Sequence, residues 1–298
     1  MKPENSGMFR GHYVVLFLLL SIGCSESGSD SGSKNTPTIH GGGDRLKDGI
    51  READVVKYPS PETWEYANQQ QRERALRSFE QLKKRSVPVY GGPLFVDSEN
   101  EATTQSPQEV ARRALVLWVI DLRAEGMPQD DALSLIEKLD VWASVSPDER
   151  SFLEDANPEP EKCQQLVWRL ESIWVLLWAL GYVDDLSWPD GMCDVPRLVK
   201  LMKAHETKPE FVTNAKLRSK AELLDAQDLI MRIHWAIRDA YLHQGGFLPD
   251  DLNWSTGDNM VPVAGCAAVG VVEERHYALN WLLNFMDPQD WDHVDTPT

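Results

Sequence analysis

Three stretches of the chain hold residue types that can do acid–base or ion-pair chemistry. Glu273-Glu274-Arg275-His276 sets the Glu273 carboxylate and the His276 imidazole one helical turn apart. His234 and Arg238 are four residues apart, which stacks a base and a cation on one helix face. Arg169 and Glu171 sit inside Leu166–Leu180, a run that is apolar on nearly every side. Two residues apart, they point away from each other. Each therefore needs a partner from another helix, because an unpaired buried charge is costly. In the last stretch Glu273, His276, Asn280 and Asn284 recur at spacings of three, four and four, one face of a helix. If these sets converge, Arg169, Glu171, His234, Arg238, Glu273, Arg275, His276 and Asn280 form one of two arrangements. One is a polar cleft among tryptophans, with His276 or His234 as general base and arginines clamping an anionic group. The other is a buried network of Arg–Glu and His–Asn pairs that fixes helix register.

Other motifs fall short of a reaction. His205-Glu206-Thr207-Lys208-Pro209 begins like the zinc motif H-E-x-x-H, but Pro209 stands where the second His belongs and breaks the helix. Glu273-x-x-His276 is half of what a carboxylate di-iron bundle needs from two helices. There is no P-loop, no G-x-S-x-G elbow, no dinucleotide glycine fingerprint and no C-x-x-C. Neither a metal nor a cofactor is expected.

The elements that must position these residues read as helices. Ser60-Pro61-Glu62 opens a polar helix to roughly Arg85. Ser106-Pro107-Gln108-Glu109, Ser146-Pro147-Asp148-Glu149 and Ser219-Lys220-Ala221-Glu222 are capping boxes. They open helices ending near Gly126, Glu154 and His243. Pro128–Leu139 and Asp194–Ala204 are further helices, and the last runs from about Ala267 to Met286. Val87–Phe95 reads as a short strand or extended loop, and Phe247–Gly265 as a long irregular loop. On Leu223–Leu242, Glu222, Asp225, Asp228, Arg232 and Asp239 make a wide polar face assigned to solvent. Gln227, His234 and Arg238 make a thin stripe flanked by apolar residues, assigned to the interior. The fold expected is all-α, a multi-helix orthogonal or irregular bundle around a central apolar helix at about residues 163–181.

The N-terminus is an address. Lys2, Arg10 and His12 precede an apolar run from Tyr13 to Ile22, too short for a bilayer-spanning helix but suited to a signal peptide. Gly23-Cys24 at its end resembles the lipobox of bacterial lipoproteins, in which the cysteine is lipidated and becomes the new N-terminus; Ser21 departs from that pattern. The expected organisation is a signal peptide at 1–23, a flexible Ser/Gly-rich linker at 24–54 and a helical domain at 55–298. With 30 Lys plus Arg against 47 Asp plus Glu, the formal charge is −17. That balance argues against nucleic acid as a partner. It also leaves the lipid on Cys24, rather than surface charge, to hold the membrane. Cys163, Cys193 and Cys266 allow one disulfide or none.

Several segments carry a family resemblance. They are Arg112-Arg113-Ala114-Leu115, Trp168-Arg169-Leu170-Glu171, Trp174 to Gly181, Leu224 to Leu229 with His234 to Arg238, Val272 to Trp281, and Asp290-Trp291-Asp292-His293-Val294. In this order they resemble the bacterial family known as domain of unknown function 4272, from about Arg77 to the end. The resemblance implies that these Trp, Arg and His positions belong to a family pattern. It implies no activity, and lipid anchoring is not a general family trait, so the signal and linker look like an added delivery module.

Two functions are expected from different classes. The first is a lipid-anchored, exported binding or protein-interaction module, with a protein or small molecule as partner. It requires Arg169, His234 and His276 to be fully buried and mutually satisfied. The second is a hydrolase using His276 or His234 as general base with arginines as anion clamp. It requires an open pocket and a strongly perturbed histidine.

Overall fold

Arg51–Thr298 is one of two units into which the chain divides, the other being Met1–Ile50. A computed structural model describes residues 58–85, 87–243, 266–286 and 290–298. The signal peptide, Cys24, the linker and the Phe247–Gly265 loop lie outside the described residues. Helices follow in chain order as α1 (Gln69–Lys83), α2 (Pro107–Ala124), α3 (Gln129–Leu139), α4 (Pro147–Glu154) and α5 (Pro160–Leu166). Then come α6 (Arg169–Ala179), α7 (Val195–His205), α8 (Glu210–Thr213), α9 (Lys220–His243) and α10 (Cys266–Leu282). Among the described residues there is no strand, so the fold is all-α. None of the described helices is long and apolar enough to cross a membrane.

The core is centred on α6. Every residue from Leu170 to Ala179 is buried, as its all-round apolar sequence requires. α2 covers one side of it and α10 another. Successive packing partners run α3, α2, α6, α10, α9 and α1. α6 closes in a Schellman motif. Gly181 takes φ 82°, its N–H donates to the Trp178 carbonyl, and the Tyr182 N–H donates to that of Leu177. Only glycine adopts that left-handed step without strain.

Local signals set many boundaries. Ser146 and Glu149 form a reciprocal capping box on α4. Ser219 and Glu222 exchange the same bonds ahead of α9. Ser106 caps α2 by accepting the Glu109 N–H, but the Glu109 carboxylate turns to Arg112 instead of closing the box.

Four expectations need correction. The helix placed from Ser60 to Arg85 is interrupted. Pro61–Thr63 makes one 3-10 turn, and α1 starts only at Gln69, behind an Asn68–Gln71 capping box. The break lets Trp64 fold inward onto Phe79 and Phe95, at ring separations of 6.2 Å each. The central apolar run is two helices. The chain tightens to i→i−3 bonds through Trp168–Glu171, where Trp168 lies against Gly270 of α10. A Cβ at Gly270 would stand 2.9 Å from the indole, so glycine is what allows the approach. The last helix stops at Leu282, short of Met286, as Asn284 and Met286 take positive φ. On α9, Asp228 and Arg232 are buried instead of solvated. Their side chains meet each other and Ser78 of α1 at 2.6–2.8 Å, and Arg232 donates to the Leu94 carbonyl. Leu94 belongs to the 87–96 segment, which has no regular structure, bends at Gly91-Gly92 and sets Val87, Val89 and Val96 in the core.

Candidate functional site

α10 meets α6 and α9 through four successive polar stations. Glu274 receives Arg169 at 3.1 Å and the Ser172 hydroxyl at 2.6 Å. The Arg169 guanidinium also lies over the rings of Tyr277 and Trp291, 4.9 and 5.4 Å from their centroids. Arg275 donates through Nε to Glu171 Oε2 at 2.9 Å and through Nη1 to the carbonyls of Leu186 and Ser187. The other oxygen of Glu171 accepts the Cys193 N–H. Both carboxylate oxygens are thus occupied inside the protein, where Glu171 has no exposed surface. His276 faces His234, Nδ1 to Nδ1, at 2.9 Å with the rings edge-on. Asn280 accepts the Gln227 amide at 2.8 Å and donates to the Asp295 carbonyl at 2.8 Å.

Arg169 and Glu171, which point apart on α6, therefore find partners on one helix, at the adjacent residues Glu274 and Arg275. Arg238 and Glu273 stay outside this network. Both are exposed, although the Arg238 charge is felt by His234 and by Glu273. The helical stripe of Gln227, His234 and Arg238 turns from interior to solvent as α9 proceeds.

Burial dominates the electrostatics. It depresses the His234 pKa to about 4, with the Arg238 charge adding to the effect. Burial also holds His276 well below the ordinary histidine value, with His234 the second cause. Both rings are neutral at neutral pH. One carries its proton on Nδ1 and donates to the bare Nδ1 of the other. His276 Nε2 has no hydrogen-bond partner among the described residues, and the ring has no exposed surface. Burial, then the nearby Glu171 carboxylate, raises the Cys193 thiol far above its usual pKa. A thiol held protonated is a poor nucleophile.

Open space lies away from the two histidines. A cavity of about 60 Å³ sits beside Arg169, Tyr277 and Trp291, walled also by Lys162, Asp148 and Glu149. It has room for a water or two. A larger groove of about 370 Å³ opens between α2, the C-terminal end of α3 and the α7–α8 junction. None of the eight candidate residues lines it. Its wall includes Glu206 of the zinc-like sequence, which accepts the Trp118 indole N–H at 2.7 Å. His205 stacks on Phe211, with ring centroids 5.7 Å apart. Among the described residues no three His, Cys, Asp or Glu side chains gather as metal ligands would.

A family profile matches residues 74–294, which takes in nearly every element and all four stations of α10. The chain belongs to the family described as Domain of unknown function (DUF4272). No curated protein and no solved structure matches it.

The DUF4272 domain buries further charge that sequence reasoning passed over. Arg113 of α2 pairs with Glu149 at 2.7 Å and lies over the Trp291 ring. Asp121, also on α2, is buried with one carboxylate oxygen unpartnered. Desolvation and then Glu125 push its pKa well above the ordinary range. Both residues interrupt the apolar run Val110–Leu122, the same signal that singled out Arg169 and Glu171.

Proposed function

We propose that this DUF4272 protein is an exported, lipid-anchored binding or protein-interaction module of the cell envelope. The sealed His234–His276 pair carries the reading. The histidines best placed to act as a base bond each other in the interior, are held neutral by burial, and His276 has no exposed surface. A general base must reach the proton that it abstracts. The buried Glu171–Arg275 pair points the same way, since an anion clamp needs its guanidinium at a surface. Anchoring rests on Gly23-Cys24 at the end of the apolar run and on the Ser/Gly linker behind it. In this reading residues 1–23 are removed, Cys24 carries the lipid, and the linker lets the acidic domain clear the membrane.

The test combines palmitate labelling with cross-linking in cells. The wild-type chain is expected in the membrane fraction with label, and Cys24→Ala unlabelled and released. Cross-linking through surface positions of the helical domain is expected to capture a discrete partner. Labelling that persists in Cys24→Ala rejects the anchor. Hydrolysis of ester or phosphoester substrates that is lost in His276→Gln rejects the module.

A further inference from the structure

We propose that the C-terminal tail, residues 290–298, is exchanged between two copies of this chain, driven by backbone strain at Met286. Each tail then sits on the other copy's helices in a two-fold dimer. The partner is a second copy, and the surface is the seat that holds Trp291 and Asp292. The proposal stands apart from lipid anchoring and from the choice between module and hydrolase.

The seat is built from groups that lie upstream of the tail. The guanidiniums of Arg113 and Arg169 stand 5.0 and 5.4 Å from the centroid of the buried Trp291 ring. The rings of Tyr277 and Trp281 meet that ring edge-on at 5.2 and 5.3 Å. The Ser146 hydroxyl donates to the Asp292 carboxylate at 2.5 Å, and the Tyr277 hydroxyl to the Trp291 carbonyl. These groups select the tail by its chemistry, an aromatic ring held by cations beside a hydrogen-bonded carboxylate. A tail arriving from a second copy offers the same groups, so exchange keeps each of these contacts. What exchange changes is the turn that leads into the tail. α10 closes in a Schellman pattern on Asn284, whose φ is 46°: its N–H donates to the Trp281 carbonyl and that of Phe285 to the Asn280 carbonyl. Asparagine tolerates that step, and it completes the cap. Two residues on, Met286 takes a second left-handed step at φ 60° with its side chain 58% exposed. A methionine is strained there, and the cap bonds of α10 do not require it. A tail that passes to a neighbour frees Met286 to take an ordinary extended conformation. A strained hinge ahead of a terminal element with a complete seat is the arrangement that favours exchange.

The experiment co-expresses two full-length chains with different tags, both carrying Cys24→Ala and Cys163→Ala. One has Ser146→Cys in the seat and the other Asp292→Cys in the tail. Freshly lysed cells are oxidised with copper phenanthroline. A disulfide-linked heterodimer bearing both tags is expected. A chain carrying both substitutions should also link tail to seat, which shows that the two positions reach each other. Met286→Gly in both chains relieves the left-handed step and should lower the heterodimer about fivefold. The doubly substituted chain should still link when it carries Met286→Gly, because its tail stays seated. No heterodimer, with the doubly substituted chain linked, means that each tail stays on its own helices and overturns the proposal. No link in either case overturns the seat itself. An equal yield with Lys203→Cys, exposed on α7, in place of Ser146→Cys means random collision and overturns it too. A heterodimer that Met286→Gly leaves unchanged removes strain as the cause, and the proposal falls with it.

Discussion

The Nδ1 atoms of His234 and His276 stand 2.9 Å apart in the interior, so at most one of them carries a proton. With the His234 pKa at about 4, against 6.5 for the free side chain, an unfolded chain takes up a proton between those values that the folded chain refuses. Stability is therefore full above pH 6.5 and falls as the pH drops toward 4. His276, also depressed, acts in the same direction. Between about pH 7.5 and about pH 5 the His234 contribution should cost about 2 kcal/mol. Urea unfolding at the two pH values measures it, and His234→Gln should flatten the profile. An unfolding midpoint that holds steady from neutral to acid pH would show that the pair is not sealed.

The Glu171–Arg275 pair makes a sharper demand. Glu171→Gln leaves a buried guanidinium without its counter-charge, and the expected loss is about 3–5 kcal/mol. Replacing both partners by apolar residues, Glu171→Leu with Arg275→Met, should lose less than the single change. Denaturant midpoints of the three proteins decide the order. If the double variant is the weakest, the pair contributes net stability through its carbonyl contacts rather than merely avoiding an orphaned charge.

Thiol labelling separates two cysteines. Cys193 is buried and its pKa is raised, by burial first and then by Glu171, whereas Cys163 is half-exposed. A maleimide pulse on the native protein, followed by peptide mapping, should modify Cys163 and spare Cys193 until denaturant is added. Early labelling of Cys193 would mean that the α6–α7 region opens readily.

On α9, the burial of Asp228 predicts a contrast between two residues of the face that the helical wheel assigns to solvent. Asp228 accepts from Arg232 and Ser78, all three buried, and Asp228→Ala should cost about 3–5 kcal/mol. Glu222 is exposed and closes the Ser219 box, and Ser219→Ala should cost about 1 kcal/mol. Thermal melts of the two variants should differ clearly. Similar melts would place Asp228 in solvent after all.

These residues also show what could be read without the fold. The boxes at Ser146 and Ser219 were legible because a cap is decided within four residues. The need of Arg169 and Glu171 for outside partners was legible because charge inside an apolar run is costly wherever it folds. Asp228 and Arg232 were misplaced because a helical wheel sees only its own helix. What covers them is α1 and the Leu94 segment, more than 130 residues away in sequence. The break at Trp168 escaped because neither proline nor glycine marks it; its counterpart, Gly270, lies on another helix. The groove escaped because its walls come from α2, the end of α3 and the α7–α8 junction, which only the fold brings together.

The bonds from Arg74 to Asp225 and from Ser78 to Asp228 tie α1 to a helix 150 residues or so downstream, and Ser146 waits as long for Asp292. The contacts that α1 makes with α9 do not exist while the chain is still emerging from a ribosome. A nascent α1 gains less by folding early, because buried Arg74 lacks its Asp225 counter-charge until α9 is made. The same long-range pairing that locks the finished domain therefore keeps the growing chain pliable.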